Sequence, residues 1–395
     1  MAANVAETNA KMLDTGKGGF HNPRENDYHI RFNDVKMRAE RISKRLPSAP
    51  TVKNVADRAG VSTATVSRAL SGASSVREPL RSRVLKAAQS LNYRPNRAAR
   101  DLRVRSSRAI GVLIPDIENP FFTSVVCGIE DVLQKTDYSL LLANYNEDPE
   151  QELRRLEVLR AEGIRGLVFA ASRAPSALYA ELEQAGVALV AVSRVPPRLR
   201  IDQVTVANRE GAHAATTHLA RLGHRRIACI NGPLVFTTAR ERQLGYEEAL
   251  QQASLEVDAS LIVHGDFRQA AGHAAMQQLL VLASPPTAVF AASNLLTLGA
   301  LQAIHERALE IPQDIAIVGF DDMPWAISLR PPLTAVAQPA FDAGRTAAEL
   351  LLARVREPSL PCREVVLETR LIVRSSCGFE KSGSARTPAH REGNP

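Results

Sequence analysis

Between Thr51 and Leu70 the chain reads TVKNVADRAGVSTATVSRAL, and no other stretch limits the fold as tightly. Val52, Val55 and Ala56 fall on one face of a short helix that Thr51 can cap, with Asp57 and Arg58 turned away. Gly60, within Ala59-Gly60-Val61, supplies the backbone freedom that a sharp corner needs. Ser62 caps a second helix, in which Val66, Ala69 and Leu70 recur at helical spacing. Two such helices joined through a glycine turn make a helix-turn-helix. Thr63, Ala64, Thr65, Ser67 and Arg68 are left on the outer surface. Small side chains let a helix approach base edges, Thr and Ala can touch thymine methyls, and Arg68 can pair with guanine or a phosphate. An ordinary helical hairpin with a basic wet face has the same local pattern, so the rest of the chain has to decide.

Charge is distributed unevenly over the 395 residues. The chain carries +7 at neutral pH, but residues 51–108 alone carry +10 and residues 109–395 are net acidic. A basic module on an acidic body fits a polyanionic partner for the module only. No apolar run of about eighteen residues is present, so no transmembrane helix is expected. The first thirty residues lack the apolar core of an export signal. Cys127, Cys229, Cys362 and Cys377 are far apart, show no metal spacing and are expected to be reduced, as in a cytoplasmic protein.

Residues 1–50 show no sustained periodicity and read as a disordered arm; Met37 is an equally good start of the chain. After the helix-turn-helix, Ser75-Val76-Arg77-Glu78 offers a capping box for a third helix over Glu78–Leu91, with Leu80, Val84, Ala87, Ala88 and Leu91 inward and Arg81, Arg83 and Lys86 wet. The head therefore spans residues 51–93. A linker over 94–107 follows, with Pro95 suited to a helix's first turn. Nine residues from Pro95 to Arg103 are fewer than the roughly 12–15 an isolated helix needs, so this hinge helix should form only when docked. Leu102, flanked by arginines, has the character of a minor-groove wedge; a plain charged linker with one stray Leu is the alternative.

From Arg108 the pattern becomes α/β. Short apolar runs at Ile110–Ile114, Ser139–Ala143, Gly166–Ala170, Val187–Val192 and Val204–Val206 alternate with periodic helices. A second set follows at Ile227–Ile230, Leu261–Val263, Ala288–Ala291 and Ile315–Gly319. Buried strands alternating with helices mean parallel sheets. Two lobes are expected, one over about 108–222 plus 338–373 and the other over about 223–337. Leu333–Gln338 should cross back, so that the helix Phe341–Val355 and a strand Glu364–Val373 complete the first lobe. Ligands of such sheets sit off the carboxyl ends of the strands, which makes the cleft between the lobes the default site. Residues 376–395 read as a loose tail.

The segments DRAGVSTATVSRAL, LNYRPNRAARDL, IGVLIPDIENPFF, HLARLGHRRIACINGP, IPQDIAIVGFDD and PPLTAVAQP, in this order, resemble the LacI/GalR family of bacterial transcription regulators. The similarity covers about residues 51–375. It implies a periplasmic-binding-protein-like body, a homodimer or tetramer, a palindromic double-stranded DNA operator, and a small effector, here expected to be a sugar or sugar acid. It also implies a cytoplasmic, nucleoid-associated repressor with no membrane partner, cofactor or metal.

The side chains expected at DNA are Thr51, Ser62, Thr63, Ala64, Thr65, Ser67, Arg68, Arg77, Tyr93, Asn96, Arg97, Ala99 and Leu102; of these, the resemblance carries over Thr63, Ala64 and Arg68 as recognition-helix readers and Leu102 as the hinge residue. Those expected at the effector are Phe121, Phe122, Phe236, Thr238, Arg242, Phe267, Ser293 and Asp321, all but Ser293 carried over by position. Arg242 offers fixed donors and Asp321 a fixed acceptor for hydroxyls, and Arg242 can instead clamp a carboxylate. The phenylalanines can stack on an apolar sugar face. Two positions depart from the family pattern: Ser293-Asn294 stands where Asn-Asp is usual, and Asp101 lies in the linker close to phosphates.

An enzyme finds no support. Pro115-Asp116 follows the first strand where a dinucleotide-binding protein has a glycine-rich loop, and there is no G-x-S-x-G, H-E-x-x-H or Walker loop. His213, His218 and His224 show no carboxylate or cysteine partner at useful spacing. A transport-type binding protein would need an export signal and no basic head, the reverse of what this chain has.

Overall fold

The computed structural model describes residues 50–70, 75–93, 108–172, 177–197 and 199–378. They form a small helical head and a larger α/β body, two separate units. The expected arm, hinge helix and most of the tail lie outside the described residues, and with them Asn96, Arg97, Ala99 and Leu102.

Among the described residues the head holds three helices, α1 (Val52–Ala59), α2 (Thr63–Leu70) and α3 (Glu78–Ser90). Thr51 begins α1 with a reciprocal capping box to Asn54, and Gly60 ends it at φ +62, the left-handed geometry that glycine adopts without penalty. Val55, Ala56, Ala59, Val66, Val84 and Ala88 form its core, with Leu80, Leu91 and Tyr93 packed against it. The capping box expected at Ser75 is absent. Arg77 is the N-cap of α3 and makes no side-chain cap bond, because a guanidinium has no acceptor to offer the first-turn N–H groups, while Pro79 favours the first-turn dihedral. Nor does Arg83 stay wet throughout, since one guanidinium nitrogen donates to the Ala59 carbonyl at 2.5 Å and ties α3 to the end of α1.

The body contains two six-stranded sheets. The first comprises β1 (Ala109–Ile114), β2 (Ser139–Asn144), β3 (Gly166–Phe169), β4 (Ala188–Val192), β5 (Asp202–Val206) and β11 (Glu364–Leu367), in the spatial order 11-5-4-3-1-2. The second comprises β6 (Ile227–Asn231), β7 (Ile262–His264), β8 (Ala288–Ala291), β9 (Ala316–Phe320), β10 (Thr334–Ala337) and β12 (Arg370–Ile372), in the order 12-10-9-8-6-7. Every pairing is parallel except β10 with β12.

Helices α4 (Pro120–Leu133) and α11 (Ala340–Arg356) cover one face of the first sheet, and α5 (Pro149–Ala161) and α6 (Ala177–Gln184) the other. On the second sheet α7 (Asn208–Arg221) and α8 (Thr237–Gln252) cover one face, and α9 (Gln269–Leu280) and α10 (Asn294–Glu306) the other.

Three assignments need correction. Helix α7 was expected in the first lobe, but Ala212, Ala215 and Leu219 pack on Phe290, Val318 and Val336 of the second sheet. Leu333–Gln338 is not a crossing but contains β10, which pairs with β9. The single strand expected over Glu364–Val373 is two: β11 pairs with β5 and β12 with β10, in different sheets. Glu368 and Thr369, which interrupt the apolar run, span the gap between them. The chain thus passes between the sheets three times, after β5, after β10 and after β11.

Two devices hold the first lobe. At the crossing of α4 and α11, a Cβ on Gly344 would lie 1.9 Å from the Val125 carbonyl oxygen, and one on Gly128 2.0 Å from that of Phe341; only glycine permits this approach. At the far edge, the fully buried Asp202 carboxylate is gripped by Arg354 at 2.9 Å and Arg363 at 2.7 Å, fastening β5 to α11 and β11. Burial pushes that carboxyl up, but hydrogen bonds from Arg363 and Arg354 outweigh it and hold it below the ordinary aspartate value of 3.8.

Gly344→Ala should cost about 1–3 kcal/mol of stability through overpacking, read by urea unfolding. Asp202→Ala should cost about 3 kcal/mol, because two half-buried guanidinium groups lose their shared counter-ion. As its carboxyl has a lowered pKa in the folded chain, its contribution is complete above pH 3.8 and declines as pH falls below that value. A wild-type minus Asp202→Ala difference that is flat through the acid range would contradict this.

Candidate nucleic-acid interface and ligand cleft

On the head, Thr63, Ala64, Ser67 and Arg68 are exposed along α2, and Thr65 is half-buried. Arg68 lies along its own helix, Nε donating to the Ala64 carbonyl at 3.3 Å. Thr51 and Ser62 are occupied in capping. The Thr51 hydroxyl donates to Asn54 Oδ1 at 2.7 Å, and Ser62 Oγ accepts from the Thr65 backbone N–H at 3.2 Å. Arg77 is exposed at the N-cap of α3, while Tyr93 packs half-buried on the core. Between α2 and α3 lies a cavity of about 420 Å³ lined by Thr65, Arg68, Ser75, Val76, Arg77, Pro79 and Leu80. Arg68 and Arg77 make its rim cationic, as an interface for a phosphate backbone needs to be.

In the body, the residues that follow the strands converge between the two sheets. Phe121, Phe122, Thr238, Arg242, Phe267, Ser293 and Asp321 line one cavity, joined by Asn119, Ser193, Arg194 and Gln338. Asn119 follows β1, Ser193 and Arg194 follow β4, Ser293 follows β8 and Asp321 follows β9, so the site sits off the carboxyl ends of both sheets. Phe236 does not line the cavity itself, but reaches it through Arg194. The cleft is closed. Asn294 donates across it to Asn119 at 2.8 Å, and Arg268 donates to the Asn146 carbonyl at 2.7 Å. About 30 Å³ of space remains, roughly the share of one water molecule.

Two buried guanidinium groups dominate the electrostatics. Arg242 donates to Asn208 Oδ1 at 2.8 Å and to the Ala292 carbonyl at 2.5 Å, and lies 3.7 Å from the centre of the Phe320 ring. Burial is the main cause that lowers its pKa to about 10; Arg194 adds to the effect and Asp321 opposes it. Asp321 accepts from the Asn294 backbone N–H at 3.0 Å and from Gln338. Ser293 Oγ accepts from the Leu296 N–H at 3.3 Å as the cap of α10. Arg194 differs from Arg242 in having a direct counter-ion, the bidentate carboxylate of Glu147 at 2.6 and 2.7 Å. Burial lowers its pKa, but the Glu147 carboxylate more than reverses that.

Asn146, Glu147, Ser193 and Asp321 all have φ between +53 and +77, a conformation that costs a non-glycine residue of order 1–3 kcal/mol and collects at functional sites. Asn119, Ser193, Arg194 and Gln338 were absent from the expected set. The rule that points to strand carboxyl ends already covers the first three; Gln338 directly follows β10 and falls under the same rule.

Fold and cleft together define a two-lobed ligand-binding body carrying a helix-turn-helix head. The model for bacterial regulatory proteins of the lacI family matches residues 51–96, and that for a periplasmic binding protein-like domain matches residues 216–377. The HTH-type transcriptional repressor CytR of Escherichia coli K12 is 36% identical over 334 residues, 85% of this chain and 98% of that one. The ribose operon repressor of Haemophilus influenzae is 36% identical over 327 residues, 82% of this chain and 98% of that one. Among solved structures, the lac repressor dimer bound to operator and the anti-inducer ONPF superposes with a TM-score of 0.75 at 28% identity, covering 84% of this chain and 99% of that one. The CelR–cellobiose complex does so with a TM-score of 0.64 at 34% identity, covering 83% and 99%. The chain belongs to the lacI family of bacterial regulatory proteins, a family of DNA-binding transcriptional repressors and not of enzymes.

Thr51→Ala should remove about 1 kcal/mol from α1 by deleting the capping box, and Thr63→Ala should remove almost none. Native-state hydrogen exchange of the α1 amides should then speed up roughly fivefold for the first variant only. Equal rates in the two variants would show that the box carries no stability.

Proposed function

We propose that the protein is a sequence-specific repressor whose affinity for operator DNA is switched by a small molecule, a sugar or sugar acid, bound between the two lobes. The observation that carries this reading is the convergence, in one closed cavity, of donors, acceptors and aromatic rings supplied by both sheets, in a chain whose basic surplus lies ahead of the net acidic body. Phe121, Phe122 and Phe267 offer apolar faces to a ring, Arg242 offers donors, and Asp321 and Ser293 offer acceptors. The CelR complex holds cellobiose, and a LacI family regulator from Enterococcus faecium, 31% identical, holds ribose.

Two heads of a homodimer, in the manner of the operator-bound lac repressor dimer, would dock in successive major grooves of a palindromic site. Thr63, Ala64 and Arg68 read bases there. Two linkers pair in the minor groove between the heads, with Leu102 as the wedge. A ligand that alters lobe closure changes whether those linkers can pair, and a coupling of only a few kcal/mol suffices. Such a protein works in the cytoplasm, at the nucleoid.

The reading is tested by mobility shift of the full chain on genomic fragments, with and without sugars and sugar acids. Selective retention of one fragment, altered by one ligand class, is expected; no preference at low salt under any condition would overturn it. Arg68→Ala should lose about 1–3 kcal/mol on the selected site and less on random DNA; equal losses on both would reduce it to a phosphate contact. Leu102→Ala should lose operator affinity with the head still folded. Affinity should fall with salt at a log–log slope of about −0.9 per phosphate contact.

A further inference from the structure

Arg194 stands apart from the other residues of the cleft. It is carried by the first sheet, yet its guanidinium lies 4.3 Å from the ring centre of Phe236 and 5.1 Å from that of Phe267, both in the second lobe. Phe122 of the first lobe closes the third side at 5.9 Å. Glu147 grips the planar group from the edge with two parallel hydrogen bonds, and the Tyr145 hydroxyl sits against it. A flat cation in an aromatic box with a fork-matched carboxylate is a ligand-like arrangement, in which the protein supplies the occupant. Arg268, next to Phe267, holds the Asn146 carbonyl beside Glu147, so both halves of the box are tied together at the same point.

The same backbone opens onto free space. Ser193, at φ +65, is the pivot from which Arg194 departs. It also lines a second, larger cavity of about 720 Å³, whose polar lining includes Asn208, Arg209, Glu210, Arg240 and Glu241. The groove is charge-balanced, two carboxylates against two guanidinium groups, and Glu210 and Glu241 are the acceptors it offers to a guanidinium that leaves the box.

We propose that Arg194 is a latch: seated in the phenylalanine box, it holds the two lobes together and occupies the place of a ligand's ring, and a ligand enters by displacing it into the adjoining groove. This rests on the cleft being the ligand site. It follows that Arg194 and Glu147 set specificity. A ligand has to offer a flat face to Phe236 and Phe267, and hydrogen-bond donors to the Glu147 carboxylate once the guanidinium has gone. Apparent ligand affinity is reduced by the fraction of molecules in which the latch is seated.

The test refills the box from outside. Arg194→Ala in the full chain removes the guanidinium and keeps the box, so ethylguanidinium at constant ionic strength should bind it saturably in calorimetry, about tenfold or more tightly than it binds the native protein. It should also slow the hydrogen exchange of the Asn146–Glu147 and Phe267–Arg268 amides, which the substitution will have raised. Equal binding to both proteins, or no binding to the variant, overturns the latch.

Should the buried Glu147 left without a partner unfold that variant, Arg194→Met combined with Glu147→Gln leaves no unpaired charge. This double variant should fold yet exchange faster at the same amides; native-like exchange there also overturns the proposal. Neither arm contains sugar or DNA. Ethylguanidinium binding in a protein that no sugar affects would keep the latch and reject the effector reading. Failure to bind would reject the latch whatever the sugars do.

Discussion

Two guanidinium groups are held out of water between two sheets, and the rest of the body is arranged to make that tolerable. An isolated charge in such a place is expensive unless it is paired and hydrogen-bonded. Arg194 is compensated by a bidentate carboxylate and by ring faces, whereas Arg242 donates to neutral acceptors, Asn208 and the Ala292 carbonyl, lies on the Phe320 face and feels the Asp321 carboxylate without a direct bond to it among the described contacts. The consequence is visible in their acidities, which move in opposite directions from the same burial. Arg242 is the unfinished member of the pair. A cleft that leaves one buried cation short of an anion favours a ligand that brings an acceptor to it, whether hydroxyl or carboxylate.

Compensation on this scale requires rigid walls. The aromatic and carbonyl partners come from strand ends, and strand ends are positioned by sheets whose helices pack at contact distance. The glycine crossing of α4 and α11 and the Asp202 clasp at the opposite edge keep the first sheet from shearing. The three chain passages between the sheets join the lobes. Strain is placed accordingly: left-handed residues gather on the loops that face the cleft, where a small change of backbone moves a charged side chain a long way.

Much of this was legible in the residues. Continuous apolar runs marked strands because a parallel sheet is buried on both faces, and seven of the eight side chains expected at the effector line the cleft. What failed was assignment across space. The apolar face of α7 announces that the helix packs, but not on which sheet, since Ala212, Ala215 and Leu219 would suit either. The run from Glu364 to Val373 looks like one strand because alternation survives the two-residue passage between sheets. Helix α8 begins at Thr237, and its first turn, Thr237-Thr238-Ala239-Arg240, has no apolar periodicity to announce it. Arg194 was passed over for a similar reason: beside Pro196-Pro197 it reads as a loop cation, and only the fold reveals the phenylalanines that surround it.

The separation of charge along the chain gives the same physics a second use. Cations on the head are exposed or lie along helix surfaces, where salt screens them and a phosphate can replace water. Cations in the cleft are buried and have defined partners, so ionic strength hardly reaches them. The two sites therefore respond to different variables, one to the ionic medium and the other to a molecule of matching shape. A regulator needs that independence if a metabolite is to alter DNA affinity without a change in salt doing so through the cleft as well. In the proposed function the coupling is mechanical and begins with movement of the strand ends that line the cleft.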